Sequence, residues 1–144
     1  MRGPSLSPPK NPNLMNPHPL AAPEIREHVL RDPSYPVHKI ADQLLPYLRV
    51  LVDRFHPEQV ILFGSYAYGE PTLDSDVDLL VLKKYHGSSV AEATRMRRAV
   101  RPLRHSVANL PLDLMVRESR PFHEQVEKGA FFHSEITRKG VRLV

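Results

Sequence analysis

Residues 63–81 of this chain read FGSYAYGEPTLDSDVDLLV, and the fold that we predict depends on this stretch. An apolar run stops at the pair Gly64 and Ser65, and a second apolar run follows Asp76 and Asp78. A short apolar run that is bounded by glycine or polar residues is typical of a buried strand. The stretch therefore predicts two strands that are joined by a short helical turn and a loop.

The sequence on either side of this stretch predicts the remaining elements. From Val37 to Phe55, apolar residues recur at three- and four-residue spacing, which predicts an amphipathic helix that Pro46 kinks or divides. The other expected elements are strands at 59–63, 76–82, 112–116 and 141–144, a helical turn at 65–69, a loop at 71–75, a helix from Ser88 or Ser89 to about Ser106, and mostly helical structure over 121–139. This order predicts an α/β (α+β) fold, a small mixed β-sheet flanked by helices.

Proline usage divides the chain into two regions. Nine of its fifteen prolines fall in residues 1–36, where we expect an extended or disordered arm with one possible helical turn around Glu24–Leu30. This arm is either a tail without function or a segment that binds a partner. We expect residues 37–144 to form one folded domain.

Composition excludes several classes of protein. The chain contains no cysteine, which excludes a disulfide framework, a thiolate metal site and a cysteine nucleophile. No apolar run reaches 18 residues, and the proline-rich start does not resemble a secretory signal, so we expect a soluble cytoplasmic protein that does not enter a membrane. The net charge of +4 is too small to favour direct nucleic-acid binding.

One predicted helix carries a concentrated basic face. Arg97, Arg98, Arg101 and Arg104 recur with His105 at helical spacing. Such a face is either solvated or a surface that docks a partner or a nucleic acid.

Three aspartates are the candidate catalytic and metal-binding residues. Side chains two positions apart on a strand share one face, about 6.6 Å apart along the chain, so Asp76 and Asp78 point the same way. A buried strand that starts with two carboxylates is costly unless a cation compensates their charge. Asp113 lies within the third strand and can complete a triad, since neighbouring strands lie about 4.8 Å apart. Such a triad suits Mg²⁺, which prefers oxygen ligands and bridges to substrate phosphates.

Gly64 and Ser65 are candidate phosphate-binding residues. Glycine allows a ligand to approach the backbone closely, and free amides at a helix N-terminus attract phosphate. Serine is also an ordinary helix cap, so the pair alone leaves both roles open.

Taken together, these residues resemble the signature of the polymerase-beta-like nucleotidyltransferases, which is a Gly-Ser pair, ten residues, then Asp-x-Asp. Gly64 and Ser65 match its first half, and Asp76 and Asp78 match its second half. Asp113 matches the third aspartate that the superfamily carries on a later strand. The resemblance covers about residues 37–144.

The resemblance implies a nucleoside triphosphate donor, usually ATP, whose nucleotidyl group passes to a hydroxyl with release of pyrophosphate. It implies that Asp76 and Asp78 hold two Mg²⁺ ions. It further implies that Asp113 ligates the catalytic ion and helps to activate the hydroxyl, and that Gly64 and Ser65 bind the outgoing phosphates.

Tyr68 departs from the pattern, because many members of the superfamily carry an arginine at this position. A cation near the triphosphate is then lost, so activity is lower or another basic residue replaces it. Lys83, Lys84 and the arginines of residues 95–104 are the candidates.

The small size of the chain is similar to that of the minimal nucleotidyltransferases of bacteria and archaea, which lack additional acceptor-binding domains. Those proteins are typically encoded with a HEPN-domain ribonuclease toxin and act as its antitoxin, often by adenylylating a tyrosine on it. The resemblance therefore implies a magnesium-dependent protein adenylyltransferase that forms a hetero-oligomer with a HEPN-type toxin. Two alternatives stay open: a catalytically weak or inactive module that neutralises a partner by contact, and a small-molecule nucleotidyltransferase.

Overall fold

A four-stranded β-sheet organises the chain in the computed structural model, which describes residues 23–106, 109–129 and 131–144. The strands are β1 (Gln59–Phe63), β2 (Val77–Leu82), β3 (Leu112–Arg117) and β4 (Val141–Arg142). The helices are α1 (Glu27–Leu30), α2 (Ala41–Phe55), α3 (Ser65–Tyr68), α4 (Ser89–Val100), α5 (Leu103–Ser106), α6 (Ser119–Glu127) and α7 (Phe131–Lys139), with a 3₁₀ helix at Pro36–Ile40.

The order of strands in the sheet is β3-β2-β1-β4. β1 pairs antiparallel with both β2 and β4, whereas β2 and β3 are parallel. A parallel pair needs a crossover connection, which α4 and α5 provide. The sheet is therefore mixed, and the predicted fold class is confirmed.

Alternation along the strands separates two apolar layers. Leu62, Leu79 and Leu114 face the larger core, which includes α2 and α4, while Ile61 and Leu80 face a smaller cluster with residues of α6 and α7. Because side chains alternate with a period of two, the even-numbered positions of β2 and the odd-numbered positions of β3 point toward the smaller cluster. The predicted site residues of both strands belong to that face.

Two helix predictions were wrong in detail. Pro46 does not divide the long helix, because α2 runs through it as one 15-residue helix that the 3₁₀ turn precedes, while the alternative of a kink at Pro46 stays a prediction. The helix predicted to reach about Ser106 ends at Val100 and is followed by the separate α5. Pro102 has no amide proton with which to continue the hydrogen bonds of α4.

Part of the predicted arm packs against the domain. Val29 and Leu30 of α1 are buried, and the amide of Arg26 donates to the Leu143 carbonyl at 2.7 Å. The packed part of the chain therefore starts before residue 36, while residues 1–22 of the predicted arm lie outside the described residues. The division into an arm and a domain stays a prediction. Of the described helices, none has both the length and the apolar character that a bilayer crossing requires.

A buried ion pair fixes the start of α4 to the end of β2. Lys83 Nζ lies 2.5 Å from Glu92 Oε1, and Arg95 contacts the other carboxylate oxygen. Burial opposes the ionisation of Glu92, but the hydrogen bonds and charges of Lys83 and Arg95 outweigh it and lower its pKa. Lys83 is therefore paired with a residue of α4, and it lies at the opposite end of β2 from Asp78.

We expect Glu92→Gln to lower the free energy of unfolding by about 3 kcal/mol, because it leaves the buried Lys83 charge without a counter-ion. Urea denaturation of the purified chain measures this change. Glu124→Gln is the control, since Glu124 pairs with the exposed Arg120 and its loss should cost less than about 1 kcal/mol. Equal effects of the two variants would show that the buried pair has no special role.

Candidate active site

Asp78 and Asp113 face each other across two parallel strands. They are direct partners in the register of β2 and β3, and their side chains lie on the same face of the sheet. Partial burial raises the pKa of Asp78, and the charges of Asp113 and Asp76 and a hydrogen bond with the Asp113 carboxyl raise it further. The two carboxylates thus form a pair in which ionisation of one opposes ionisation of the other.

Gly64 lies directly against the Asp78 carboxylate. A Cβ at this position would overlap Oδ2 of Asp78 and would lie 3.1 Å from its Cγ. The backbone of Gly64 has φ 75° and ψ −159°, a combination that is almost restricted to glycine. Register explains the contact, because Phe63 at the end of β1 pairs with Asp78 and Gly64 follows it. Steric fit and backbone conformation therefore both require glycine here.

Asp76 lies in the exposed loop just before β2. The loop contains a turn in which Ser75 N–H donates to the Thr72 carbonyl at 3.1 Å and Thr72 N–H donates to Ser75 Oγ at 2.8 Å. Asp76 is close enough for its charge to act on Asp78. Within the described ranges, however, no three carboxylate or histidine side chains are gathered closely enough to enclose a metal ion. The predicted metal role of the aspartates stays a prediction.

The residues present nevertheless suit a magnesium ion. An in-register carboxylate pair offers oxygen donors, which Mg²⁺ prefers, and a cation would relieve the repulsion that raises the Asp78 pKa. Asp76 is exposed, so its side chain has the freedom to turn toward an ion that Asp78 and Asp113 hold.

Ser65 begins α3 at the same end of the sheet. The amides of Ala67 and Tyr68 donate to the Gly64 carbonyl at 3.0 and 3.2 Å, so the amides of Ser65 and Tyr66 have no acceptor within this short helix. Ser65 is half-buried beside Gly64. The predicted phosphate-binding pair therefore adjoins Asp78, while its contact with phosphate stays a prediction.

Lys139, at the end of α7, is a cation near this site that the sequence did not indicate. Its Nζ lies 5.4 Å from the centre of the Tyr68 ring and 2.8 Å from Glu135 Oε1. Tyr68 lies three residues after Ser65, which places the two on neighbouring positions of one helical turn. Since Lys139 and Tyr68 are far apart in sequence, no local pattern connects them.

The arrangement defines a class of domain in which paired aspartates on neighbouring strands adjoin a Gly-Ser turn. Residues 44–139, two thirds of the chain, match the nucleotidyltransferase domain family. The chain belongs to this family, as the resemblance in its sequence predicted.

One relative carries a more specific name. A protein of Methanocaldococcus jannaschii named "Putative protein adenylyltransferase" is 40% identical over 43 residues. The similarity covers 30% of this chain and 43% of that protein, so the chain spans less than half of the relative's length. No solved structure matches the chain.

We expect Gly64→Ala to destabilise the fold by more than Gly87→Ala. Both glycines have a positive φ, but a Cβ at Gly87 meets nothing within 4 Å, whereas one at Gly64 meets Asp78. Gly87→Ala should cost about 1–2 kcal/mol from backbone strain alone. Thermal unfolding compares the two, and the double variant Gly64→Ala/Asp78→Ala should recover the difference. If Gly64→Ala costs no more than Gly87→Ala, the close contact with Asp78 is not a constraint.

Proposed function

We propose that this chain is a magnesium-dependent protein adenylyltransferase that transfers the adenylyl group of ATP to a hydroxyl of a partner protein. We further propose that the partner is a HEPN-type ribonuclease toxin, whose activity the chain neutralises as an antitoxin. Membership of the nucleotidyltransferase domain family supports the reaction class. The adenylyltransferase name of the partial relative supports a protein acceptor.

The observation that carries the proposal is the in-register pair of Asp78 and Asp113 with Gly64 packed beneath it. A structural role alone does not explain two adjacent carboxylates, because their mutual repulsion and partial burial oppose folding. Cation binding gives them a function, since a divalent ion converts the repulsion into attraction.

Each residue has a definite role in the proposed step. Asp76, Asp78 and Asp113 would hold Mg²⁺, which would supply positive charge to neutralise and orient the phosphates. Asp113 accepts the proton of the acceptor hydroxyl. The hydroxyl oxygen forms a bond to the α-phosphorus of ATP while the bond from that phosphorus to the bridging oxygen of the β-phosphate breaks. Pyrophosphate leaves toward Gly64 and Ser65, where the α3 amides and the Ser65 hydroxyl receive it.

Lys139 supplies a cation for the triphosphate in this proposal. Its ammonium group lies over the Tyr68 ring, one helical turn from Ser65, and its side chain is half exposed to solvent. Lys83 does not suit this role because it is paired with Glu92 at the other end of β2. Glu135 holds Lys139 in place by an ion pair and lowers the net positive charge that the site offers.

The central test uses ATP labelled at its α-phosphate and the protein encoded beside this chain, co-expressed as the acceptor. With Mg²⁺ we expect the label to appear on the acceptor, whereas label at the γ-phosphate should leave with pyrophosphate. Asp78→Asn and Asp113→Asn should each reduce transfer by at least about 100-fold, because charge stabilisation at such a site amounts to several kcal/mol.

Asp74→Asn is the matched control, since Asp74 is an exposed acid of the same loop and should retain transfer. Transfer of the γ-phosphate label would instead identify a kinase. No transfer of α-phosphate label to this acceptor would contradict the proposed activity toward it.

We expect Lys139→Gln to weaken MgATP binding by about five- to tenfold, as one lost charge contact in a partly exposed site corresponds to roughly 1 kcal/mol. Isothermal titration calorimetry measures the affinity. Arg138→Gln is the control, because Arg138 is on the same helix and pairs with the same glutamate, yet it should change the affinity by less than about twofold. Equal affinities of the two variants would exclude Lys139 from the triphosphate site.

A second candidate function is a binding module that neutralises its partner without chemistry. Tyr68, at a position that is often arginine in the superfamily, favours it. Full suppression of partner toxicity by Asp78→Asn would support this candidate, whereas loss of suppression would support catalysis.

A further inference from the structure

A groove runs along the outer edge of the sheet and contains Asp113. β3 is the last strand on this side, and no other described strand pairs with its outer edge. Between β3 and α4 there is a cavity of about 190 Å³. Its lining includes Val90, Ala93 and Arg97 of α4 and, at the edge of β3, Asp113, Met115 and Arg117, whose side chains point to the face of the sheet opposite α4.

The topology separates this groove from the predicted phosphate-binding turn. Gly64 follows β1 and Asp113 lies on β3, with β2 and its Asp78 between them. In an in-line displacement, the acceptor approaches the α-phosphorus from the side opposite to the leaving pyrophosphate. If pyrophosphate leaves toward Gly64, the acceptor hydroxyl arrives from the side of Asp113, which is where the groove opens.

Two arginines occupy the outer edge of β3. The carbonyls of Pro111 and Arg117 accept hydrogen bonds from the β2 side, so the carbonyls of Leu114 and Val116, at the alternate positions, point outward. Arg97 Nη2 donates to the Leu114 carbonyl at 3.2 Å, and Arg117 Nη1 donates to the Val116 carbonyl at 2.7 Å. These bonds occupy two outward carbonyls of β3 and place two positive charges along the groove.

The groove lining combines basic and apolar residues, and further exposed arginines lie nearby in the sequence. Arg98 is exposed on the same helix as Arg97, and Arg101 and Arg104 continue the basic surface beyond α4. Val90 is 71% exposed, which is unusual for a large apolar side chain in this chain. The groove lining contains no aromatic side chain on which a nucleic-acid base could stack. A protein segment that combines acidic and apolar side chains fits this chemistry better than single-stranded RNA.

We propose that the groove between α4 and β3 is the acceptor site and that it binds an acidic segment of the partner protein, whose hydroxyl it presents to Asp113. This inference rests on the proposed nucleotidyl transfer for the role of the hydroxyl. Binding of the acidic segment depends only on the groove. Arg97 and Arg117 attract the segment, and the exposed Val90 packs against its apolar side chains.

The test uses a fluorescein-labelled random copolymer of glutamate and tyrosine as the probe and the full chain as the receptor. Fluorescence anisotropy should show saturable binding that weakens with salt. Arg97→Glu and Arg117→Glu should each weaken it by about tenfold. Arg49→Glu, which makes the same charge change on α2, should leave binding within about twofold of the wild type.

Two further measurements distinguish a loss of probe binding from misfolding and from a loss of ATP binding. Arg98→Glu removes a positive charge from the exposed face of α4 and leaves the hydrogen bond between Arg97 and the Leu114 carbonyl intact. It should therefore weaken probe binding even if Arg97→Glu misfolds. MgATP affinity of the wild type and of the Arg49→Glu control is measured in parallel and should be the same. If the wild type binds the probe but not MgATP, the proposed function is contradicted, whereas binding of an acidic segment in the groove is not.

Three results would overturn the inference. The first is that the wild type does not bind the copolymer, or that all arginine variants bind it equally. The second is that a copolymer of lysine and tyrosine binds as tightly as the acidic one. The third is that a single-stranded RNA oligonucleotide binds more tightly than the acidic copolymer through the same arginines, which would make the groove a nucleic-acid site.

Discussion

Repulsion between two carboxylates on neighbouring strands is the constraint around which this end of the molecule is arranged. Asp78 and Asp113 share one register position, and partial burial strengthens their mutual effect because less water screens it. The strand pairing that forms the apolar core also places these two residues side by side. In the function that we propose, a bound cation relieves this repulsion, and folding has already brought the two carboxylates together.

Much of this architecture could be predicted from the sequence, because local chemistry determines it. Apolar runs bounded by glycine or acids define β1 and β2, and Asp113 is conspicuous as a charge within the apolar β3. The alternation of side chains then places Asp78 and Asp113 on one face, whereas Asp76 lies in the loop before β2. The contact of Gly64 with Asp78 follows from the register of β1 and β2. These strands pair without a bulge, so that Phe63 lies opposite Asp78 and Gly64 comes next.

Other features could not be predicted, because they depend on contacts between distant segments. The position of Lys139 over Tyr68 depends on how α7 packs against β1, and the burial of Leu30 depends on a hydrogen bond from Arg26 to the last strand region. The integrity of α2 at Pro46 reflects tertiary packing that outweighs the local cost of proline in a helix. The basic face of α4 was visible in the sequence, whereas its position along the edge of β3 was not.

The position of β3 at the edge of the sheet has an evolutionary consequence. β1 is flanked by strands on both sides, so substitutions there disturb the whole sheet, whereas the outer side of β3 contacts few elements other than α4. Surface residues of α4 can therefore change with little effect on the Gly64 turn. In a lineage of such domains, selection can therefore alter the surface beside Asp113 while the Gly64 side of the carboxylate pair stays unchanged.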